Sequence, residues 1–174
     1  PPISVVFLGY RRGQVPHALD GIGYLTPSGE GRALSGALFC STMFPGRAPP
    51  GHVALAAYIG GARAPDLAGL PPDDLIGLAR DEFGDLLGAR GDPVVARVRQ
   101  WARGLPLYGL GHRATTRTLA DARRRVPGLC FAGNYLSGVS VAACYDCALE
   151  TADQVRRHLM DAGVRNTERE QEPS

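Results

Sequence analysis

The chain has 174 residues, enough for one domain of ordinary size or for parts of two, and 44% of them are hydrophobic, which suffices for a buried core. A formal net charge of +2 gives no support for a nucleic-acid partner, and no apolar run reaches the ~18 residues that a membrane-spanning helix needs. All 19 basic residues are arginines, which excludes a lysine Schiff base and a P-loop lysine.

The pattern of strands and short loops over the first 106 residues predicts an antiparallel sheet. Residues 3–10 are rich in β-branched and aromatic side chains, and further strands are predicted within 21–27, 32–44, 52–61 and 93–106. Most of the intervening loops are short, which favours antiparallel neighbours. The chain begins with Pro1-Pro2 directly before the first strand and has no initiator Met, which favours a segment of a longer protein.

One helix is expected to cover this sheet. Pro71-Pro72 and the acids Asp73 and Asp74 mark its N-terminus, because acidic side chains suit the positive end of a helix. Apolar residues then recur at helical spacing until Gly88, which is expected to end the helix.

A second region is expected from residue 109. Thr115 or Thr116 is predicted to cap a short helix through Val126, and an apolar strand over 129–132 is predicted to stop at Gly133. An amphipathic helix follows, and the polar segment 164–174 is expected to be disordered.

Two motifs suggest chemistry that the surrounding sequence does not support. Residues 109–114, GLGHRA, match the G-x-G-x-x-G/A dinucleotide fingerprint, but the hydrophobic strand before it and the acid about 20 residues after it are missing. Cys144 and Cys147 form a C-x-x-C, but a structural zinc site needs a second pair, and both cysteines are expected more than one turn inside the helix. We therefore interpret them as a turn and as buried side chains, and predict no metal site and no catalytic acid–base residue.

The turn over 133–144 has a stronger functional signal. It has glycine at 133 and 138, no Asp or Glu over 133–143, and first-turn amides near Val139, Ser140 and Val141 that lack helical acceptors. Such an end attracts an anion or an electron-rich carbonyl. A glycine-rich contact between helix and sheet without a ligand is the alternative, and these residues leave both open. For Phe44 and Trp101, a ligand pocket and core packing are likewise both open, core packing being the commoner.

Several stretches together resemble a known family. They are VVFLGY, GIGYLTP, LSGALFCSTMFPGRAPPGHVALAAYIGGAR, LPLYGLGH and GLCFAGNYLSGVSV. In this order they resemble the C-terminal part of the protoporphyrinogen oxidase family, flavoenzymes of the FAD-dependent amine oxidase superfamily, over roughly residues 3–162. The resemblance implies a mixed α+β and α/β fold. Residues 1–108 would be part of an antiparallel substrate-domain sheet with a covering helix, and residues 109–163 the last strand and helix of a Rossmann-like FAD-binding domain, before the disordered tail.

The resemblance also implies the site residues. Those expected to line FAD are Gly133, Asn134, Val139, Ser140, Val141 and Trp101. Those expected to contact the tetrapyrrole substrate are Phe44 and Leu25. At Ala142-Ala143 this sequence departs from the acidic or amide pair that family members often carry there.

The implied activity belongs to haem biosynthesis. Protoporphyrinogen IX, or coproporphyrinogen III, would lose six electrons to flavin, and dioxygen would reoxidise the flavin. The implied partners are the porphyrinogen, dioxygen and the N-terminal remainder of the enzyme, which carries the βαβ unit for the ADP half of FAD, so the chain alone is expected to be inactive. We expect a cytoplasmic location and no nucleic-acid partner, with peripheral membrane contact and a homodimer left open. The alternative is a non-catalytic, stand-alone module that binds a porphyrin or a partner protein.

Overall fold

The computed structural model describes residues 1–104 and 106–170, with side chains through residue 161. The strands are β1 (Ile3–Arg11), β2 (Gly23–Leu25), β3 (Leu34–Leu38), β4 (His52–Gly60) and β5 (Val95–Trp101). The α-helices are α1 (Cys40–Met43), α2 (Pro72–Leu87), α3 (His112–Arg125), α4 (Asn134–Ser137) and α5 (Val141–Glu170). The chain divides into two compact units, over residues 1–104 and 105–174.

The five strands lie in the first unit and form one antiparallel sheet in the order β2-β3-β4-β1-β5. The predicted antiparallel sheet is therefore confirmed. The predicted strand over 32–44 is only half correct, because the chain leaves the sheet after Leu38 and forms α1. Tertiary contacts explain this: Phe39 packs into the core at 3% exposure, and the Ser41 hydroxyl accepts a hydrogen bond from the Ala54 amide at 3.1 Å.

Helix α2 covers one face of the sheet. Leu75, Ala79 and Phe83 are fully buried and belong to the same core as alternate residues of β1 and β4. The ends of the helix are as predicted, with Pro72 in the first turn and Gly88 in the left-handed conformation (φ +66°). The proline and the glycine determine these limits because each suits its end of a helix and disfavours continuation.

The second unit departs from prediction at two helix ends. Helix α3 begins at His112 with Gly111 at its cap, and the Thr116 hydroxyl donates to the Arg113 carbonyl at 3.0 Å instead of capping. Threonine inside a helix satisfies its hydroxyl in this way, so it need not mark the start. Helix α5 continues over 164–170, where disorder was predicted, because glutamate and arginine favour helix despite their polarity. Residues 171–174 of the predicted tail lie outside the described residues.

The predicted strand over 129–132 is not formed. In the described part of the second unit no neighbouring strand pairs with it, and an extended segment becomes a strand only through such pairing. Its backbone is instead held locally, by the Leu129 amide donating to the Val126 carbonyl at 3.1 Å and by the Thr151 hydroxyl near the Phe131 carbonyl at 3.5 Å.

We expect Phe83→Ala to lower the free energy of unfolding of the first unit by about 3–5 kcal/mol, because it leaves a cavity between α2 and the sheet. Urea denaturation followed by fluorescence of Trp101, the single tryptophan, measures this change. Leu86→Ala, on the same helix but 37% exposed, is the matched control and should cost less than about 1 kcal/mol. Equal losses in the two variants would contradict the burial assigned to Phe83.

Candidate functional site

The face of the sheet opposite α2 is open in the first unit. In β1 the core residues Val6, Leu8 and Tyr10 alternate with Val5, Phe7 and Gly9, which lie on this open face. Residues paired across neighbouring strands lie on the same side of a sheet, so the open face continues onto β4 and β5. The residues on it from β4 and β5 are His52, Ala54, Ala56, Tyr58, Val95, Arg97, Arg99 and Trp101.

The open face is apolar at its centre and basic at one edge. Val5 and Ala56 are only 6% and 1% exposed, whereas Phe7 is 43% exposed. Arg97 and Arg99 are exposed on the edge strand β5, and no residue of the five strands on this face is acidic. This arrangement suits a ligand that has an apolar body and negatively charged groups at its edge.

The segment after α1 covers one end of this face. Together with Phe7, Gly9 and Val95, residues 47–49 line an open cavity of about 400 Å³. Phe44 lies just before this segment, is 49% exposed and carries the Arg47 guanidinium 5.4 Å from its ring centre, so it is not a core residue.

The other two candidates in the first unit are also exposed. Leu25 is 88% exposed on β2, at the far edge of the sheet from β5. Trp101 ends β5, is 40% exposed and has the Arg99 guanidinium 5.7 Å from its ring centre. Trp101 thus belongs to the first unit, whereas the other five residues expected to line the cofactor belong to the second.

In the second unit, the turn after residue 132 contains two glycines in conformations that other residues rarely adopt. Gly133 (φ +146°) and Gly138 (φ +126°) flank α4. A Cβ atom at position 133 would lie 2.6 Å from Cε1 of Tyr135, so the aromatic ring of the same turn already excludes a side chain. The glycine therefore has a structural reason that does not depend on a ligand.

Ser140 caps α5. Its hydroxyl accepts a hydrogen bond from the Ala143 amide at 3.0 Å, and its carbonyl accepts one from the Cys144 amide at 3.0 Å. Sequence reasoning assigned Ser140 only to the cofactor and missed this role, although serine before an apolar helix is a signal for it. The amides of Val141 and Ala142 lie in the first turn, where no helical acceptor exists, and the Val141 side chain is 87% exposed.

Two further residues, Tyr108 and Cys147, contact the turn through hydrogen bonds. The Tyr108 hydroxyl donates to the Asn134 carbonyl. Cys147 is buried beneath the turn, where the Ser137 hydroxyl and then the Gly133 amide lower the pKa of its thiol. Neither residue was identified as a site residue from the sequence, because both act through contacts distant in the chain.

The cysteine pair is closer to the helix N-terminus than predicted. Since α5 begins at Val141, Cys144 lies in its first turn, and its thiol lies 3.6 Å from the Gly138 carbonyl. Both cysteines are free thiols. Over the described residues, no cluster of three or more His, Cys, Asp or Glu side chains is arranged to bind a metal ion.

We expect Gly133→Ala to destabilise the second unit by about 1–3 kcal/mol, because alanine is strained at φ +146° and its Cβ meets Tyr135. Urea denaturation followed by circular dichroism at 222 nm measures this. Gly109→Ala is the control, since position 109 has open space around it and should change stability by less than about 1 kcal/mol. A Gly133→Ala variant as stable as the control would show that the turn adopts a different backbone.

Comparison with known proteins finds relatives named for two related activities. The chain is 34% identical to the mitochondrial protoporphyrinogen oxidase of Nicotiana tabacum over 91% of its length and 32% of that protein. It is 32% identical to the coproporphyrinogen III oxidase of Propionibacterium freudenreichii, over 87% of this chain and 28% of that protein. The chain therefore spans about a third of the length of these curated relatives.

Solved structures share the fold. A protein from Exiguobacterium sp. 255-15, described as a candidate protoporphyrinogen oxidase, superposes with a TM-score of 0.75 at 19% identity, over 91% of this chain and 35% of that one. Reduced UDP-galactopyranose mutase gives a TM-score of 0.54 at 14% identity, over 71% of this chain and 26% of that one.

The names of the plant relatives also state a cellular location. Plant relatives are named mitochondrial or chloroplastic, which does not match the cytoplasmic location expected from the sequence. Within the described residues, no helix has the length and apolar character required to cross a membrane.

The family model described as flavin containing amine oxidoreductase matches residues 1–156. The matched region includes the whole sheet of the first unit and, in the second, the glycine turn and the start of α5. The resemblance first seen in short stretches thus extends over most of the chain, and the chain belongs to the flavin-containing amine oxidoreductase family.

Proposed function

We propose that this chain is the C-terminal portion of an oxygen-dependent FAD oxidase that converts protoporphyrinogen IX, or coproporphyrinogen III, to the porphyrin. The similarity over about nine-tenths of the chain to proteins named for these two activities carries the proposal. In this proposal residues 1–108 belong to the substrate-binding domain and residues 109–163 to the FAD-binding domain.

The second unit has a surface that fits the flavin ring. The amides of Val141 and Ala142 present the positive end of a long helix, and no acidic side chain occurs over 133–143. Ser140 holds this end in place by capping it. The residues that would contact the ring are Gly133, Asn134, Val139, Ser140 and Val141, with Trp101 from the first unit. Bound flavin would supply the electron acceptor for the substrate.

The first unit supplies the substrate surface in this proposal. Its open sheet face is apolar at the centre, so it would exclude water from the tetrapyrrole and orient it. Phe44 and Leu25 are exposed side chains that would contact the macrocycle. Substrate oxidation of this kind needs position and exclusion of water more than an acid–base residue, which agrees with the sequence reasoning that found none.

Activity in this proposal requires the portion of the enzyme that binds the ADP half of FAD. The chain spans about a third of its curated relatives, and we expect it to bind FAD weakly or not at all by itself. A cytoplasmic protein, with peripheral membrane contact and a homodimer as open alternatives, is part of the same proposal.

Sequencing the DNA upstream of the Pro1 codon is the first test. We expect an open frame encoding a strand, a G-x-G-x-x-G and an acid about 20 residues later. The protein from that complete frame should bind FAD and produce porphyrin fluorescence and hydrogen peroxide from both porphyrinogens in air, and the ratio of the two rates identifies the preferred substrate. A start codon directly upstream with no such frame nearby would contradict the enzyme proposal and favour the binding module.

Ser140→Asp tests the flavin surface in the same complete protein. Aspartate still caps α5, so the free energy of unfolding should change by less than about 1 kcal/mol, but its charge would oppose negative charge on the reduced flavin. We expect the rate of porphyrinogen oxidation to fall about tenfold, equivalent to about 1.4 kcal/mol. Ser140→Asn is the neutral cap control and should retain most of the rate. Equal rates in the two variants would argue against a flavin edge at this helix end.

A further inference from the structure

Three arginines border the open sheet face without an acidic partner. Arg97 and Arg99 extend from β5 and Arg47 lies in the segment that covers one end of the face. All three are exposed, and in the described residues none has a carboxylate within 4.0 Å, whereas Arg32 and Arg80 elsewhere in the unit are paired. The face therefore carries uncompensated positive charge around an apolar centre.

Two of the three guanidinium groups lie over aromatic rings. The Arg47 and Arg99 groups lie over the rings of Phe44 and Trp101, at 5.4 and 5.7 Å from the ring centres. Arg97 lies opposite Phe7 across the strands and donates one hydrogen bond to the Ala96 carbonyl at 2.7 Å. A guanidinium beside an aromatic ring retains in-plane N–H donors, which match the two oxygens of a carboxylate.

We propose that Arg47, Arg97 and Arg99 bind carboxylates at the edge of the substrate while the apolar centre of the face binds its macrocycle. This inference rests on the proposed function and goes further, because it assigns the recognition of substrate charge to particular residues. Protoporphyrinogen carries two propionates and coproporphyrinogen four, so a basic edge matches either molecule, and the number of arginines engaged would distinguish them.

The alternative explanation for Arg97 and Arg99 is protection of an exposed sheet edge. Charged side chains on edge strands disfavour pairing with another sheet, and β5 is an edge strand. That role does not involve Arg47, which lies outside the strands, and it does not require a ligand. Binding of a carboxylate-bearing porphyrin therefore separates the two explanations.

The test compares coproporphyrin III with its tetramethyl ester, which has the same macrocycle and no charge. Both are titrated by fluorescence, in dilute non-ionic detergent, into the protein encoded by the complete reading frame that contains this chain. We expect the triple variant Arg47→Gln, Arg97→Gln, Arg99→Gln to bind the acid at least tenfold more weakly and the ester within about twofold of the original protein. Salt should weaken binding of the acid only, because it screens charge.

Arg117→Gln is the matched control, since it removes an exposed arginine from α3 of the second unit and should leave both affinities within about twofold. If the unsubstituted protein binds both porphyrins and the triple variant binds the acid equally well, the arginine assignment is overturned and the proposed function remains intact. Failure of the original protein to bind either porphyrin would overturn the proposed function and this inference together.

Discussion

Strand β1 is hydrogen-bonded along both edges, to β4 and to β5, and the two sides of the first unit follow from its register. Its alternate side chains enter the core beneath α2, while the others form the middle of the open face. Because the side-chain period of a strand is two residues, a slip of one residue would exchange these sets. The same pairing that buries Leu8 and Tyr10 thus exposes Phe7, and the core and the candidate substrate surface are determined together.

In the second unit the main structural feature is the exposed start of the long helix α5, where the Val141 side chain is 87% exposed. Gly133 and Gly138 adopt positive φ angles on either side of α4, Ser140 accepts a hydrogen bond from one first-turn amide, and Cys147 is buried. Each of these residues has a structural role in the unit itself. Ser140 thereby helps to fix the first turn of α5, where the amides of Val141 and Ala142 have no helical acceptor.

Arginine has several distinct environments in this chain. In the first unit Arg32 and Arg80 pair with carboxylates, whereas Arg47 and Arg99 lie over aromatic rings. A guanidinium can stay next to apolar surface because it is weakly hydrated, and lysine would be less suited to this position. The open face is therefore both apolar and electropositive, a combination that composition and net charge do not reveal.

Elements whose signals are local could be predicted from the amino-acid sequence. Residues 3–10 and 95–101 alternate or are β-branched, and α2 has a proline and acids at one end and Gly88 at the other, so both kinds of element could be predicted within a few residues. The short stretches around MFPGRAPPG and FAGNYLSGVSV were enough to indicate the family, which the match over residues 1–156 then established.

Features that depend on neighbours distant in the chain could be seen only in the folded structure. Alternation in β1 could not say which face would be covered, because that depends on where α2 packs. The segment 129–132 has strand composition but no neighbouring strand in the described part of its unit, and composition cannot supply a hydrogen-bonded partner. The exposure of Phe44 and of Trp101 likewise depends on how their segments pack, which is why reasoning along the chain left both side chains undecided between a pocket and the core.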